Sequence, residues 1–209
     1  METLKQKLVD TGKKLSEKGL SPGFSGNLSV RYGKYFLVTP SGYPLGDFEK
    51  DDLVLIDKNF KVIEGKRRPS SEAKMHLEIY ALRPDFDAII HCHAPKASAF
   101  AVANVPLSQP ILAESVFHLG HIPIAKYHLP STTDVAQETA KHFAKSDVVL
   151  MQNHGVVLAA KSLYEAYYKM ETVEYTAEVI LNAKILGGGK ELNSQQVQDI
   201  INLRMELGK

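Results

Sequence analysis

The chain has a single cysteine, Cys92, so no intrachain disulfide can form and the fold cannot rest on a disulfide framework. A lone thiol fits a reducing compartment. The first residues, Met1-Glu2-Thr3-Leu4-Lys5, contain no apolar run of signal-peptide length. No stretch approaches the ~20 apolar residues of a membrane span. The cytoplasm is therefore the expected location, with no membrane partner. An excess of charge of one sign is lacking too. Lys and Arg number 25 against 24 Asp and Glu, for a formal net charge of +1. That balance gives no support for a nucleic-acid partner. What remains is an ordinary soluble composition, 44% hydrophobic and 23% charged over 209 residues. It is enough for one domain, expected over residues 1–209, with a core of useful size.

Periodicity divides the chain into alternating strands and helices. Leu4, Leu8, Gly12 and Leu15 share a helical face over residues 2–18, and Gly19 is a natural stop. Leu28 to Val30 and Tyr35 to Thr39 read as a hairpin turning at Tyr32-Gly33-Lys34. Leu53 to Asp57 pairs with Phe60 to Ile63. A helix from about Glu72 to Leu82 is expected, with Ser70 or Ser71 as its N-cap and Arg83-Pro84 as its end. A buried strand at 88–92 precedes a short helix near 95–103. Ile122 to Tyr127 is the next strand. A helix capped by Ser131 or Thr132 runs from Thr133 to Ala144. Val148 to Gln152 and Val156 to Ala159 flank Asn153-His154-Gly155. A long helix spans Leu163 to Leu186 and a last one Ser194 to Leu207. Intermixed strands and helices with short hairpin turns imply an α/β or α+β fold on a substantially antiparallel sheet.

The chemistry begins with Ala88-Ile89-Ile90-His91-Cys92-His93. Side chains alternate on a strand, so His91 and His93 project one way and Cys92 the other. Two imidazoles side by side can bind a divalent metal, or simply be two polar residues at a strand edge. His154, in a tight turn between strands, is a candidate third ligand. His118, His121, His128 and His142 carry no such pattern.

Glu72 sits in the first turn of a helix behind Pro69-Ser70-Ser71. It can complement the helix dipole, or act as a metal ligand or general base beside an anion site made by that helix N-terminus. His76 follows at i+4 on the same face and is expected to support Glu72. The loops Ser25-Gly26-Asn27 and Thr39-Pro40-Ser41-Gly42 suit a phosphate, and suit ordinary turns as well. Glu114, among apolar neighbours in Leu112-Ala113-Glu114-Ser115, becomes a candidate proton donor if it is buried.

Five segments, in this order, resemble the class II aldolase and adducin family. They are Gly26-Asn27-Leu28-Ser29-Val30-Arg31, Thr39-Pro40-Ser41-Gly42, Pro69-Ser70-Ser71-Glu72, His91-Cys92-His93 and Asn153-His154-Gly155. The likeness runs from the first helix through the long helix. It implies a single three-layer α/β/α domain around a mainly antiparallel sheet, assembled as a homotetramer with active sites at subunit interfaces. It implies zinc, one per subunit, on His91, His93 and His154. Glu72 would be a ligand in the free enzyme and a base in turnover. Asn27, Ser41, Gly42, Ser70 and Ser71 would hold the phosphate of a small sugar phosphate.

The activity so implied is that of a metal-dependent aldehyde-lyase. It would cleave a ketose 1-phosphate like fuculose 1-phosphate into dihydroxyacetone phosphate and an aldehyde such as lactaldehyde, through a metal-stabilised enediolate. Three histidines suit other divalent metals as well. The family's fuculose-phosphate pattern also includes two tyrosines. None is present in Gln109 to Phe117 or in Ile201 to Lys209, which makes Glu114 the substitute donor. Glu72 speaks against a pentulose-phosphate 4-epimerase, which carries aspartate there. A methylthioribulose-1-phosphate dehydratase would need the same histidines and an acid such as Glu114. An adducin-head-like interaction module would lack the ligands.

Overall fold

In the computed structural model, which describes residues 1–208, one mixed sheet carries the architecture. Its strands are β1 (Asn27–Tyr32), β2 (Tyr35–Val38), β3 (Val54–Ile56), β4 (Val62–Glu64), β5 (Ala88–Cys92), β6 (Ile124–Ala125), β7 (Val148–Met151) and β8 (Gly155–Ala160). They lie in the order β4-β3-β2-β1-β5-β8-β7-β6. Every neighbouring pair is antiparallel except β6 with β7. The helices are α1 (Glu2–Glu17), α2 (Ala73–Leu82), α3 (Pro95–Ala103), α4 (Ala113–His118), α5 (Thr133–Ala140), α6 (Leu163–Ile185) and α7 (Ser194–Glu206).

The sheet is covered on both faces, which is why its central strands read as unbroken apolar runs such as Val148-Val149-Leu150-Met151. One face, through Leu28, Val30, Ile90, Cys92, Val156 and Leu158, packs against Leu8 and Leu15 of α1, Ala97 and Ala101 of α3, and Met170 and Val173 of α6. The other, through Val38, Val54, Ile89, Val149 and Val157, packs against Met75 and Ile79 of α2 and Val135 of α5. This is the expected α/β/α sandwich.

Strand alternation decides what the second face offers. Asn27, Ser29 and Arg31 of β1 alternate with Leu28 and Val30, which face the α1/α6 layer, and so turn toward α2. Asn27 Nδ2 donates to Glu72 (2.8 Å), Ser29 Oγ bonds His76 Nδ1 (2.7 Å) and Tyr80 Oη (3.0 Å), and Arg31 donates to the Tyr80 carbonyl (3.3 Å). A period of two on the strand meets a period of four on the helix. The result is a polar seam that fixes α2 lengthwise.

Several boundaries differ from the sequence pattern. Glu72, not Ser70 or Ser71, is the N-cap residue of α2, and its side chain makes no capping bond. The serines are used elsewhere, because the chain at 69–70 pairs with the loop at 39–40. Phe60 belongs to the turn before β4, with φ of 66°. α4 is too short, at six residues, to leave a readable period. The strand expected at Ile122 to Tyr127 shrinks to Ile124–Ala125. α5, capped by Thr132, ends at Ala140 and tightens into a 3-10 turn over Lys141–Ala144.

Candidate active site

At one end of the sheet, beside the N-terminus of α2, three histidines converge. His91 lies within β5, paired in register with Asn27 of β1 and Val157 of β8. His93 follows β5 directly. His154 stands in the turn between β7 and β8, which closes with its N–H on the Met151 carbonyl (3.0 Å) and holds Asn153 in the left-handed region at φ of 56°. One nitrogen from each ring lies within 4.8 Å of the others. The three rings meet edge to face, with centroids 4.8–5.0 Å apart. Space for this is made at Gly155. A Cβ there would stand 2.5 Å from the Cys92 carbonyl, 2.9 Å from the His93 ring and 3.3 Å from the His91 ring.

Protonation follows from burial. His91 is fully buried, and its pKa is pushed down to about 4, by desolvation first and then by His154 and His93. His93 is lowered for the same leading reason. A neutral His91 whose Nδ1 donates to the Val156 carbonyl (2.9 Å) presents a bare lone pair at Nε2. That atom lies 3.2 Å from His93 Nε2 and 3.3 Å from Glu72 Oε2, while Glu72 Oε1 lies 3.3 Å from His154 Nε2. Burial raises the Glu72 carboxyl, but His91, His154 and the Asn27 amide outweigh it and hold it below its ordinary value. Three imidazoles and an ionised carboxylate are a donor set that fits a divalent metal of the zinc type. Cys92 faces the other layer and is fully buried, with its thiol pushed up by desolvation.

A polar cavity of about 180 Å³ opens beside this cluster. Its walls are loops that meet across long sequence distances. Ser41 N–H donates to the Arg68 carbonyl (2.8 Å) and Ser70 N–H to the Thr39 carbonyl (3.0 Å), which joins the loop of Ser41 and Gly42 to that of Ser70 and Ser71. A wider cleft of about 830 Å³ lies along α6, where Arg83 and Lys169 are both paired with Asp147.

The model for the class II aldolase and adducin N-terminal domain matches residues 6–181. The chain belongs to the class II aldolase family. An L-fuculose phosphate aldolase of Haemophilus influenzae is 31% identical over 201 residues, 95% of this chain and 92% of that one. A 5-methylthioribulose-1-phosphate/5-deoxyribulose-1-phosphate aldolase of Escherichia coli O45:K1 is 32% identical over 183 residues, 87% and 85% of the two chains. The solved structure of an L-fuculose 1-phosphate aldolase superposes with a TM-score of 0.90 at 35% identity, covering 96% of this chain and 95% of that one.

In this class II aldolase the fold brings together most of the residues singled out from the sequence. His93, His154, Glu72, Asn27, Ser41, Gly42, Ser70 and Ser71 line the small cavity, with His91 buried behind it. Glu114 is not among them. It is exposed on the first turn of α4, so the burial on which its acid role depended is absent from the single chain. His76 is buried, but its Nδ1 bonds Ser29 rather than Glu72, and its Nε2 has no hydrogen-bond partner among the described residues.

Ser131 is the lining residue that sequence reasoning passed over as a plain cap. Thr132 takes the capping role, while Ser131, left-handed at φ of 68°, turns its hydroxyl to Ser71 Oγ (2.7 Å). Its left-handed backbone was the only local signal, and a serine gives no hint of it.

Proposed function

We infer that the chain is a metal-dependent aldolase that cleaves a ketose 1-phosphate of the fuculose type to dihydroxyacetone phosphate and an aldehyde such as lactaldehyde. The observation that carries this reading is the carboxylate of Glu72 at 3.3 Å from both His91 and His154, on the wall of a small hydroxyl-lined cavity. His91, His93 and His154 would hold the metal, zinc being the choice that fits nitrogen donors at neutral pH. Such an ion supplies Lewis acidity to the oxygens at the cleaved bond and stabilises the charge that develops there.

The protein's own groups do the rest. The Ser41, Ser70 and Ser71 hydroxyls and the backbone at Gly42 receive the phosphate, beside the positive end of α2. Asn27 orients Glu72 through its amide. Cleavage between C3 and C4 removes a proton from the C4 hydroxyl and requires one at C3. Glu72, ionised and within reach of the cavity, would take the proton from C3 in the condensation direction and, once it has itself been protonated, would return it to C3 in cleavage. Nothing in the single chain supports Glu114 as the second proton carrier. That role would require α4 of a neighbouring subunit in the proposed homotetramer.

A second reading keeps the same bond cleavage and changes the sugar. The relative that acts on 5-methylthioribulose 1-phosphate makes that compound a substrate candidate. The exposure of Glu114 weighs against the dehydratase alternative.

The test is a coupled assay for dihydroxyacetone phosphate, with zinc-loaded protein against fuculose 1-phosphate, 5-deoxyribulose 1-phosphate and methylthioribulose 1-phosphate. Release that Glu72→Gln abolishes in a folded protein supports the reading. No release from any of the three, with water lost from the methylthio compound, moves the assignment to the dehydratase.

A further inference from the structure

We propose that Glu174 of α6 is the positioning residue for His93, acting as a remote cap on α3; the inference rests on the metal-site reading above. The three histidines are not held equally well. His91 is locked inside the sheet, hydrogen-bonded through the β1 and β8 ladders. The His154 turn closes on Met151. His93 comes just after Cys92, the last residue of β5 to pair with β8, and just before the first turn of α3. Its position therefore depends on how α3 begins.

That beginning lacks the usual means of holding itself. The N-cap residue is Ala94, which offers no side-chain acceptor, and the first helical residue is Pro95, which has no N–H. The next two donors both end on one carboxylate 77 or 78 residues away. Lys96 N–H donates to Glu174 Oε1 and Ala97 N–H to Glu174 Oε2, each at 2.9 Å. Glu174 is 7% exposed and Ala97 fully buried, so solvent does not replace these bonds. The negative charge also meets the positive end of the helix. Lys96 Nζ, 3.7 Å from the same carboxylate, balances it.

α6 itself is anchored in the core through Met170 and Val173. The short link from β5 through His93 to α3 is thus pinned by the ladder on one side and by Glu174 on the other. Glu174 touches neither the histidines nor the cavity, so its effect reaches the site only through the backbone.

The test measures cobalt(II) affinity by competition with a chromophoric chelator, and the visible spectrum of the bound ion, for the full chain and for Glu174→Gln. Glutamine keeps the size but offers one acceptor and turns an amide N–H₂ toward the other donor. The expected result is cobalt affinity lower by about 10- to 100-fold, an altered band pattern, and unchanged circular dichroism. Parental affinity and spectrum, even with a lowered melting temperature, would overturn the proposal and leave Glu174 a structural cap. Should Glu174→Gln fail to fold, Glu174→Asp retains the charge with a shorter reach, and parental cobalt affinity in that variant overturns the proposal equally. A parent chain that binds no cobalt overturns it together with the proposed function. A parent that binds, with a variant that binds equally, overturns this inference alone.

Discussion

Asn27 Nδ2 donates to Glu72 Oε2 across 2.8 Å, from the start of the first strand to the cap of the second helix. The two residues are 45 positions apart, and the bond fixes the carboxylate that also touches His91 and His154. A hydrogen bond to a charged acceptor contributes about 1.5–3 kcal/mol. Replacing Asn27 by alanine frees Glu72 to rotate away from the histidines. We expect Asn27→Ala to weaken zinc binding by about 10- to 100-fold, the usual scale for a group that supports a ligand. Calorimetric titration with a competing chelator measures this, and parental affinity would rule the positioning role out.

Gly155 is the point where β8 passes under the imidazoles. A methyl group there would collide with the Cys92 carbonyl and press on the rings of His93 and His91. The φ of this glycine is not left-handed, so the constraint is space and not backbone freedom. Gly155→Ala should cost about 1–3 kcal/mol through overpacking and displace the two rings together. Urea unfolding reads the first effect and the cobalt spectrum the second. An unchanged spectrum would mean that the sheet yields instead of the histidines.

The division of information between sequence and structure follows from locality. The pairing of His91 with His93 is a period-two fact about one strand, and the helices at 2–17 and 163–185 announce themselves by apolar spacing. The partners of Glu72, Ser71 and Lys96 are not local facts. Asn27 meets Glu72, Ser131 meets Ser71 and Glu174 meets Lys96 only after the sheet has ordered its strands. Resemblance supplied Asn27, because its motif is known as a set, but it had nothing to say about Ser131 or Glu174. Glu114 shows the reverse failure. Apolar neighbours in sequence suggested burial, yet α4 turns the carboxylate to solvent and buries Ser115 beside it.

Gly12 sits in the interior of α1, where alanine is ordinarily worth about 1 kcal/mol more than glycine. Helix propensity therefore argues for stabilisation by Gly12→Ala. The packing argues the opposite, since an added Cβ meets the Leu45 carbonyl and comes within 2.7 Å of the Phe48 ring. Both partners are buried, Leu45 and Phe48 at 1% exposure each. We expect the clash to win, with a net loss of about 1–3 kcal/mol and a lower thermal midpoint. A raised midpoint would show that α1 can lift away from the loop at 45–48.

His76 makes the stability of the metal-free protein depend on pH. Its pKa is pushed down to about 3 by complete burial first and by His91 second, against the opposing pull of Glu72. The unfolded chain takes up the proton near the ordinary histidine value of about 6.5. A histidine lowered in the folded state favours folding above the unfolded value. That contribution is lost as the pH falls from about 6.5 toward 3, because only the unfolded chain is then protonated. Between pH 7 and pH 5 the loss from one such group is about 2 kcal/mol. His91, lowered to about 4, adds a similar slope, so the parent alone does not isolate the effect. His76→Gln retains a polar group opposite Ser29 and has no proton to gain. In the presence of a chelator, its unfolding free energy should fall less than the parent's over this interval, by about 2 kcal/mol. Denaturant titrations at the two pH values give the difference directly, and parallel losses in both proteins would mean that His76 is protonated in the folded state.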